Sequence, residues 1–353
     1  MKILYVINKS TDGGAVTTTR SRINAFRKRG IEAEVLFFSR GDGAKMFEGI
    51  PHYHVKGIND FQKRITKGGY DCIIFVYSLH YLKHVPSNYK GKKIYELRGW
   101  TSGSVTQVSK KDISKSVDAL VCIAKYIKPL VRPYFRKDIP IFVDGNTVDP
   151  MFQYVKPSER SWANAPQPEP NHSVIAFVGR VDQLKNWQEF IKICRISAKK
   201  YPIEAWFISN PKASREIHDM HQECLKHQLK YKVVHVFNEN MPELYSIVAD
   251  SGGCVLSTSL SEGLGNSILE SMACQCPVVS SDKPGKNEII THEHNGMLYK
   301  LGDINKGAGC VEKILKDLPF RQNMIQNALS TIQNDYNQDV YVNRYVNILA
   351  KIK

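Results

Sequence analysis

Short apolar runs alternate with helix-patterned stretches along this chain, and that rhythm constrains its fold more than any other feature. Ile3–Ile7 is an apolar run, followed by Thr11-Asp12-Gly13-Gly14, a helix-like stretch to Arg29, and Gly30 as its stop. Further strand-like runs stand at Glu34–Phe38, Cys72–Tyr77, Lys93–Leu97, Ala119–Ile123 and Pro140–Val143. Parallel strands need long crossovers, and helices supply them, so the pattern predicts a parallel sheet with crossover helices. Residues 156–172 break the rhythm with Pro157, Pro166, Pro168 and Pro170 among polar side chains, the composition of a linker. Alternation then restarts with Val174–Val178, a helix over Trp187–Lys199, Glu204–Ile208, a helix over Ser214–Gln228 and Val233–Val236. A short helix near Pro242–Val248 and strands at Gly253–Leu256 and Pro277–Ser280 complete it. The reading is an α/β chain of two Rossmann-like domains, 1–155 and 173–335, joined by the linker 156–172. The tail 336–353 reads as one helix, with Val340, Val342, Tyr345, Val346, Ile348 and Leu349 on one side. It either completes the second domain or crosses back to the first, and the second option is expected.

A length of 353 residues lets each domain bury its own core. No apolar run approaches the ~20 residues that span a bilayer. The opening MKILYVINKS lacks the apolar region and cleavage site of a secretory signal, so a cytoplasmic location is expected. The eight cysteines fall mostly in apolar segments, and the single Cys274-Gln275-Cys276 pair is weak as a metal motif; buried free thiols are expected. Charge is unevenly spread: residues 1–155 hold 26 Lys and Arg against 13 Asp and Glu, whereas residues 156–353 hold 23 against 21. Basic clusters lie at Arg20, Arg22, Arg27, Lys28 and Arg29, at Lys63, Arg64 and Lys67, at Lys90, Lys92 and Lys93, at Lys110 and Lys111, and at Arg132, Arg136 and Lys137. The first domain is therefore expected to face an anionic membrane surface or an acidic polymer; a merely solvated basic surface is the plainer alternative. No nucleic-acid-binding module is visible, and no nucleic-acid partner is expected.

Chemistry concentrates in residues 259–282. Glu262 and Glu270 bracket Gly263, Leu264, Gly265, Asn266 and Ser267, between a strand leading in and a strand leading out. Helix N-termini attract anions, carboxylates accept hydrogen bonds from hydroxyls, and glycines let backbone approach a ligand closely. A nucleotide sugar is the ligand class that needs all three. Ser267 and Glu270 also fit a capping box, a purely structural role.

Taken in order, residues 174–290 strongly resemble the donor domain of the retaining glycosyltransferase family four. Phe177-Val178-Gly179-Arg180 with Lys185-Asn186, then Met241-Pro242-Glu243-Leu244-Tyr245, follow that family's pattern. The Glu262-to-Glu270 segment with Ser271-Met272-Ala273 matches its two-glutamate signature, and Pro277-Val278-Val279 and Asn287-Glu288-Ile289-Ile290 come next. The first half is similar more loosely, through Lys2–Ile7 with Gly13-Gly14 and through Gly145-Asn146-Thr147-Val148-Asp149 with Phe152. Four positions depart: Thr147, Ser209 and Asn210 where glycine is usual, and Arg98 where many relatives carry a histidine.

The resemblance implies the GT-B fold, two Rossmann-like domains facing each other across a cleft. It implies a retaining transferase working on a nucleotide diphosphate sugar, UDP-sugar favoured, in bacterial surface-glycan, lipid-linked saccharide or teichoic-acid-like synthesis. The acceptor would be a glycan, a lipid-linked saccharide or an anionic polymer, with peripheral attachment at the inner membrane face. Glu262 would contact the donor sugar, Glu270 the ribose hydroxyls, and Arg180 and Lys185 the departing phosphate. Gly13 and Gly14 would add backbone donors, and Arg98 is a candidate contact to phosphate or acceptor. No cofactor is expected, and no metal, since the chain has no Asp-x-Asp sequence and Arg180 and Lys185 can neutralise the phosphate. Two readings compete: a nucleotide-sugar epimerase of the same fold, and a non-catalytic GT-B subunit that binds a partner or glycan.

Overall fold

In the computed structural model, residues 1–10, 13–110 and 116–352 are described. Thr11 and Asp12 of the first glycine loop, Lys111 of a basic cluster and Lys353 of the tail lie outside the described residues. The chain forms two compact units, Met1–Thr147 with Tyr336–Lys353, and Val148–Asp335.

In the first unit, β1 (Lys2–Lys9), β2 (Glu32–Ser39), β3 (His52–His54), β4 (Cys72–Val76), β5 (Lys92–Leu97), β6 (Ala119–Cys122) and β7 (Ile141–Val143) build one sheet. Its order is β3-β2-β1-β4-β5-β6-β7, and neighbouring strands run parallel. Parallel strands are covered on both faces, which is why β4, Cys-Ile-Ile-Phe-Val, is apolar and buried at every position. Helix Gly14–Lys28 covers one face through Val16, Ile23 and Phe26. The C-terminal helix Gln338–Lys351 joins the same core through Tyr341, Val342, Tyr345, Ile348 and Leu349. Phe26 meets the rings of Tyr341 and Tyr345 edge-on, with centroids 5.5 Å away in each case. Val346, expected on the apolar side, is exposed, and Tyr341 takes its place. At 100° per residue, positions 341, 345 and 348 share a stripe that 346 leaves. The helix starts at Gln338 because Asn337 caps it, its side-chain oxygen accepting from the Val340 N–H at 2.9 Å.

Glu96, on β5, ties this unit together from inside. Only 1% exposed, it receives Arg22 Nη1 at 2.8 Å, Arg98 Nη2 at 2.7 Å and the Tyr345 hydroxyl at 2.7 Å. Arg22 also donates to Gly145 O and Asn146 Oδ1, and Arg344 Nε donates to Asp144 Oδ1 at 2.7 Å. Burial pushes the Glu96 carboxyl up, but Arg22 and Arg98 outweigh it and hold the group below the usual range. Arg22, part of a basic cluster in sequence, is therefore no surface cation.

In the second unit, β8 (Ser173–Val178), β9 (Ile203–Ile208), β10 (Tyr231–Val234), β11 (Cys254–Ser257), β12 (Val278–Asp282) and β13 (Met297–Lys300) form a parallel sheet ordered β10-β9-β8-β11-β12-β13. Phe190 packs edge-on against Phe177 and Phe207 in its core, at 5.4 and 5.1 Å. β10 lies two residues earlier than the apolar run suggested, because Tyr231 pairs with Ala205 and Val234 with Ile208. The proline-rich segment is pinned to this unit. Glu243 accepts the N–H groups of Ser161 and Trp162 at 3.0 and 3.1 Å, and Lys232 Nζ reaches Gln167 O at 2.7 Å. Helices Ile58–Gly68, Ile304–Lys316 and Leu318–Thr331, with β3 and β13, are additions to the sequence reading. All eight cysteines are buried and unpaired.

Replacing Glu96 by Gln removes the buried carboxylate that Arg22 and Arg98 both bond, a change worth about 3–5 kcal/mol. Urea unfolding should show that loss in midpoint; an unchanged midpoint would mean the cluster does not hold the unit.

Candidate active site

β8 and β11 lie side by side, Ile175 opposite Cys254 and Ala176 opposite Val255. Here the strand order reverses, so the loops leaving the two carboxyl ends part and open a crevice. Ligands of open α/β sheets bind at such points.

The loop after β8 begins at Gly179, whose φ of +133° suits glycine. A Cβ there would stand 2.9 Å from Lys185 Cε, so the missing side chain also makes room for the lysine. Asp182 shapes the loop, its carboxylate accepting from Arg180 Nε at 2.9 Å and from the Lys185 backbone N–H at 3.0 Å. The loop after β11 clasps the first. The Thr258 hydroxyl lies 3.0 Å from the carbonyls of both Lys185 and Asn186, and the Leu260 N–H donates to Leu184 O at 2.9 Å. This clasp sets Lys185 Nζ 2.6 Å from Glu262 Oε1. Burial pushes the Glu262 carboxyl up, but Lys185, then a hydrogen bond from the Ser259 side chain and last the Lys286 charge outweigh it and leave the group below its ordinary range. The Arg180 side chain is 57% exposed, which leaves a forked cation at the mouth of the loop.

Helix Asn266–Ala273 follows, with Gly265 in the cap position and no side-chain cap bond. The capping box expected of Ser267 and Glu270 is therefore not formed: the helix starts two residues before it requires. Both residues sit inside the helix, and Glu270 Oε2 instead accepts the Tyr245 hydroxyl at 3.1 Å. Leu264 turns inward, 6% exposed, and anchors the glycine-rich turn.

A third loop, after β12, supports the other two. Gly285 has φ +88°, and a Cβ on it would meet Gly263 O at 2.5 Å and Glu262 O at 3.1 Å. Beside it, Lys286 is fully buried and donates to Ser259 O at 2.9 Å and Ser281 Oγ at 2.5 Å. Asp182, Thr258 and Lys286 escaped sequence reasoning, because polarity alone does not distinguish a bracing side chain from a solvated one.

The structure thus brings Lys185 and Glu262 into contact, holds Arg180 by Asp182 on the same loop, and carries Gly263, Leu264, Gly265, Asn266, Ser267 and Glu270 on the turn and helix beyond. Gly13, Gly14 and Arg98 belong to the first unit. Gly13 precedes the first turn of helix Gly14–Lys28, and Arg98 lies beneath that turn. Arg98 Nη1 donates to Ala15 O at 2.9 Å and Thr19 Oγ1 at 2.8 Å, while Nε and Nη2 go to Glu96. Four of the five guanidinium N–H groups are committed inside the fold. A concavity of about 780 Å³ in the same unit, lined by Tyr70, Tyr89, Lys92 and Asp118, lies at the amino ends of β4–β6, the edge opposite to the crossover loops that gather ligands. Among the described residues, no group of three or more His, Cys, Asp or Glu could hold a metal ion.

This geometry coincides with a known sequence pattern: residues 159–331 match the family model of glycosyl transferases group 1. The match takes in the loops after β8, β11 and β12. Along its whole length it is similar to the lipopolysaccharide core biosynthesis glycosyltransferase LpsD of Rhizobium meliloti, 20% identical over 99% of this chain and 98% of the relative. Among solved structures, Anabaena HepE in complex with UDP and glucose superposes with a TM-score of 0.82 at 18% identity, covering 99% of each chain. Staphylococcus aureus TarM superposes with a TM-score of 0.74 at 12% identity, over 99% of this chain and 100% of TarM. The protein is a glycosyltransferase with the GT-B fold. In the transferase, the matched segment contains Arg180, Lys185, Glu262, Glu270 and Lys286, all on the second unit.

Gly285→Ala forces backbone against backbone and strains a left-handed position, so it should destabilise the transferase by more than about 1 kcal/mol. Thermal unfolding checks this, and nucleotide affinity should fall with it because the displaced carbonyls belong to Glu262 and Gly263.

Proposed function

We propose that the protein is a retaining, metal-independent glycosyltransferase that takes its sugar from a nucleoside diphosphate sugar, in the first instance a UDP-sugar. The observation that carries the reading is the Lys185–Glu262 pair at the β8/β11 reversal, with Arg180 exposed on the same loop. Support for uridine comes from Anabaena HepE, whose structures contain UDP, UDP-glucose, or UDP and glucose.

The hard step is cleavage of the bond between the anomeric carbon and the β-phosphate oxygen. Positive charge grows on the sugar ring and negative charge on the leaving diphosphate, as in glycoside cleavage. Arg180 offers a forked donor and Lys185 a compact cation to that diphosphate, a role a metal fills elsewhere. Donor binding then exchanges partners: Lys185 turns to phosphate, and Glu262 accepts sugar hydroxyls. Glu270, fixed by Tyr245, accepts the ribose hydroxyls. The acceptor hydroxyl attacks the anomeric carbon on the face the leaving group departs from, and the freed phosphate oxygen takes its proton. No covalent sugar–enzyme intermediate is required. Backbone N–H groups near Gly13 and Gly14 would add to the phosphate or sugar contacts, while Arg98 would act through the turn it supports.

For the acceptor we propose a lipid-linked or envelope saccharide, in keeping with the lipopolysaccharide-core role in the name of LpsD. The basic first half would lie against an anionic inner membrane face. No helix among the described residues is long and apolar enough to cross a membrane, so this attachment would be peripheral. Flotation with anionic but not neutral vesicles at moderate salt is the expected result; equal flotation with both would refute it.

A thermal-shift screen of UDP, GDP, ADP and their sugar conjugates identifies the donor, because a ligand bound only to the folded state raises Tm. Glu262→Gln should keep the fold and UDP affinity while transfer falls roughly 100-fold or more. Arg180→Ala with Lys185→Ala should weaken UDP binding at least about 10-fold while leaving uridine binding little changed. Wild-type transfer by the first variant, or equal losses of UDP and uridine in the second, would refute those roles.

A further inference from the structure

Lys286 has no part in the mechanism above, yet it is the most deeply placed cation near the site. It is fully buried, and an unpaired ammonium in such a place costs several kcal/mol. Its Nζ bridges two elements, donating to the Ser259 carbonyl on the loop after β11 and to the Ser281 hydroxyl on β12. Ser281 Oγ donates to the same Ser259 carbonyl at 3.2 Å. Ser259 stands three residues before Glu262, and Gly285 presses on the Glu262 and Gly263 carbonyls from the side. Lys286 therefore holds the segment that presents Glu262.

Electrostatics links it to the same residues. Burial pushes the Lys286 ammonium down to about 7. Glu262, on the loop after β11, favours its charged form, and so does Glu189 on helix Trp187–Ala198. Lys185, on the loop after β8, and Lys283, on its own loop, oppose it. Lys185 pairs with Glu262 directly, while Lys286, bonded to Ser259 O and Ser281 Oγ, feels the same carboxylate through its charge. When a diphosphate draws Lys185 away from Glu262, the carboxylate keeps the hydrogen bond of the Ser259 hydroxyl but loses its ion-pair partner. The same event removes the repulsion that Lys185 exerts on Lys286.

We propose that Lys286 is the positioning residue that keeps Glu262 charge-balanced when donor phosphates engage Lys185, so that binding of a nucleoside diphosphate is coupled to uptake of a proton by Lys286. This rests on the transferase reading, through the phosphate role of Lys185. The sign follows directly: an anion that neutralises Lys185 raises the proton affinity of Lys286. Uptake is therefore small near pH 6, where the lysine is already charged, and appreciable near pH 8.

The test is calorimetric titration of the full chain with UDP at pH 8 in buffers of different ionisation enthalpy. The terminal phosphate of UDP is already ionised there, since the second phosphate pKa is about 6. If the Lys286 affinity rises by about one unit, the wild type should take up roughly 0.3–0.5 proton per UDP. Lys286→Met should bind UDP without uptake, and Lys286→Arg, whose charge does not titrate, should also bind without uptake. A purely structural lysine would leave no such signature. UDP binding by the wild type with no proton uptake overturns the proposal, as does unchanged uptake in either variant; if neither variant folds, absence of wild-type uptake still decides against it. Failure of UDP to bind at all removes the UDP reading itself, and the proposal with it.

Discussion

The adjacency of β8 and β11 is the constraint on which the crevice of the second unit depends. Two parallel strands paired over Ile175–Ala176 and Cys254–Val255 send their loops out from one edge, in a place where no other crossover covers them. From that pairing follow the Thr258 clasp on Lys185 and Asn186, the Leu260 bond to Leu184 and the 2.6 Å contact of Lys185 with Glu262. Residues 77 positions apart meet because the sheet register leaves them nowhere else to go.

Both units bury charge, with different consequences. In the first, Glu96 is sealed with Arg22, Arg98 and Tyr345, and its partners are themselves almost wholly enclosed. Water and ligands do not reach such a cluster, so it acts as scaffold, locking a strand, the first helix and the C-terminal helix together. In the second, Glu262 and Lys185 are about one-fifth exposed and Arg180 more than half. Charges at that depth are screened weakly enough to matter, yet can exchange partners with an incoming anion. Depth decides which ion cluster is sealed architecture and which stays open to an incoming ion.

Much of this was legible in sequence because it rests on local signals. Apolar runs such as Cys72–Val76 read directly as buried parallel strands, and the Gly179–Asn186 and Glu262–Glu270 motifs reappear on the loops after β8 and β11. Other parts were not legible. β3, His-Tyr-His, carries no apolar run and becomes a strand only by pairing with Val35–Phe37. Ser267 and Glu270 have capping-box spacing, but Gly265 starts the helix earlier and leaves both inside it. Arg98 read as a candidate contact to phosphate or acceptor, whereas Glu96 and the Ala15 carbonyl draw it inward. Lys286 sits among Asp282, Lys283, Pro284 and Gly285, a stretch that reads as a solvated turn.

The sequence by itself determined the alternating strands and helices, the two-part division and the order of motifs over residues 174–290, since periodicity and motif spacing are properties of the chain. Tertiary structure alone decided which charges face a ligand and which face each other. Arg22, Arg98 and Lys286 are sequestered and Arg180 is exposed, although in one dimension all four are simply basic residues. The physical reason is that a charge takes its meaning from burial and from partners distant along the chain, which only the folded sheets bring into place.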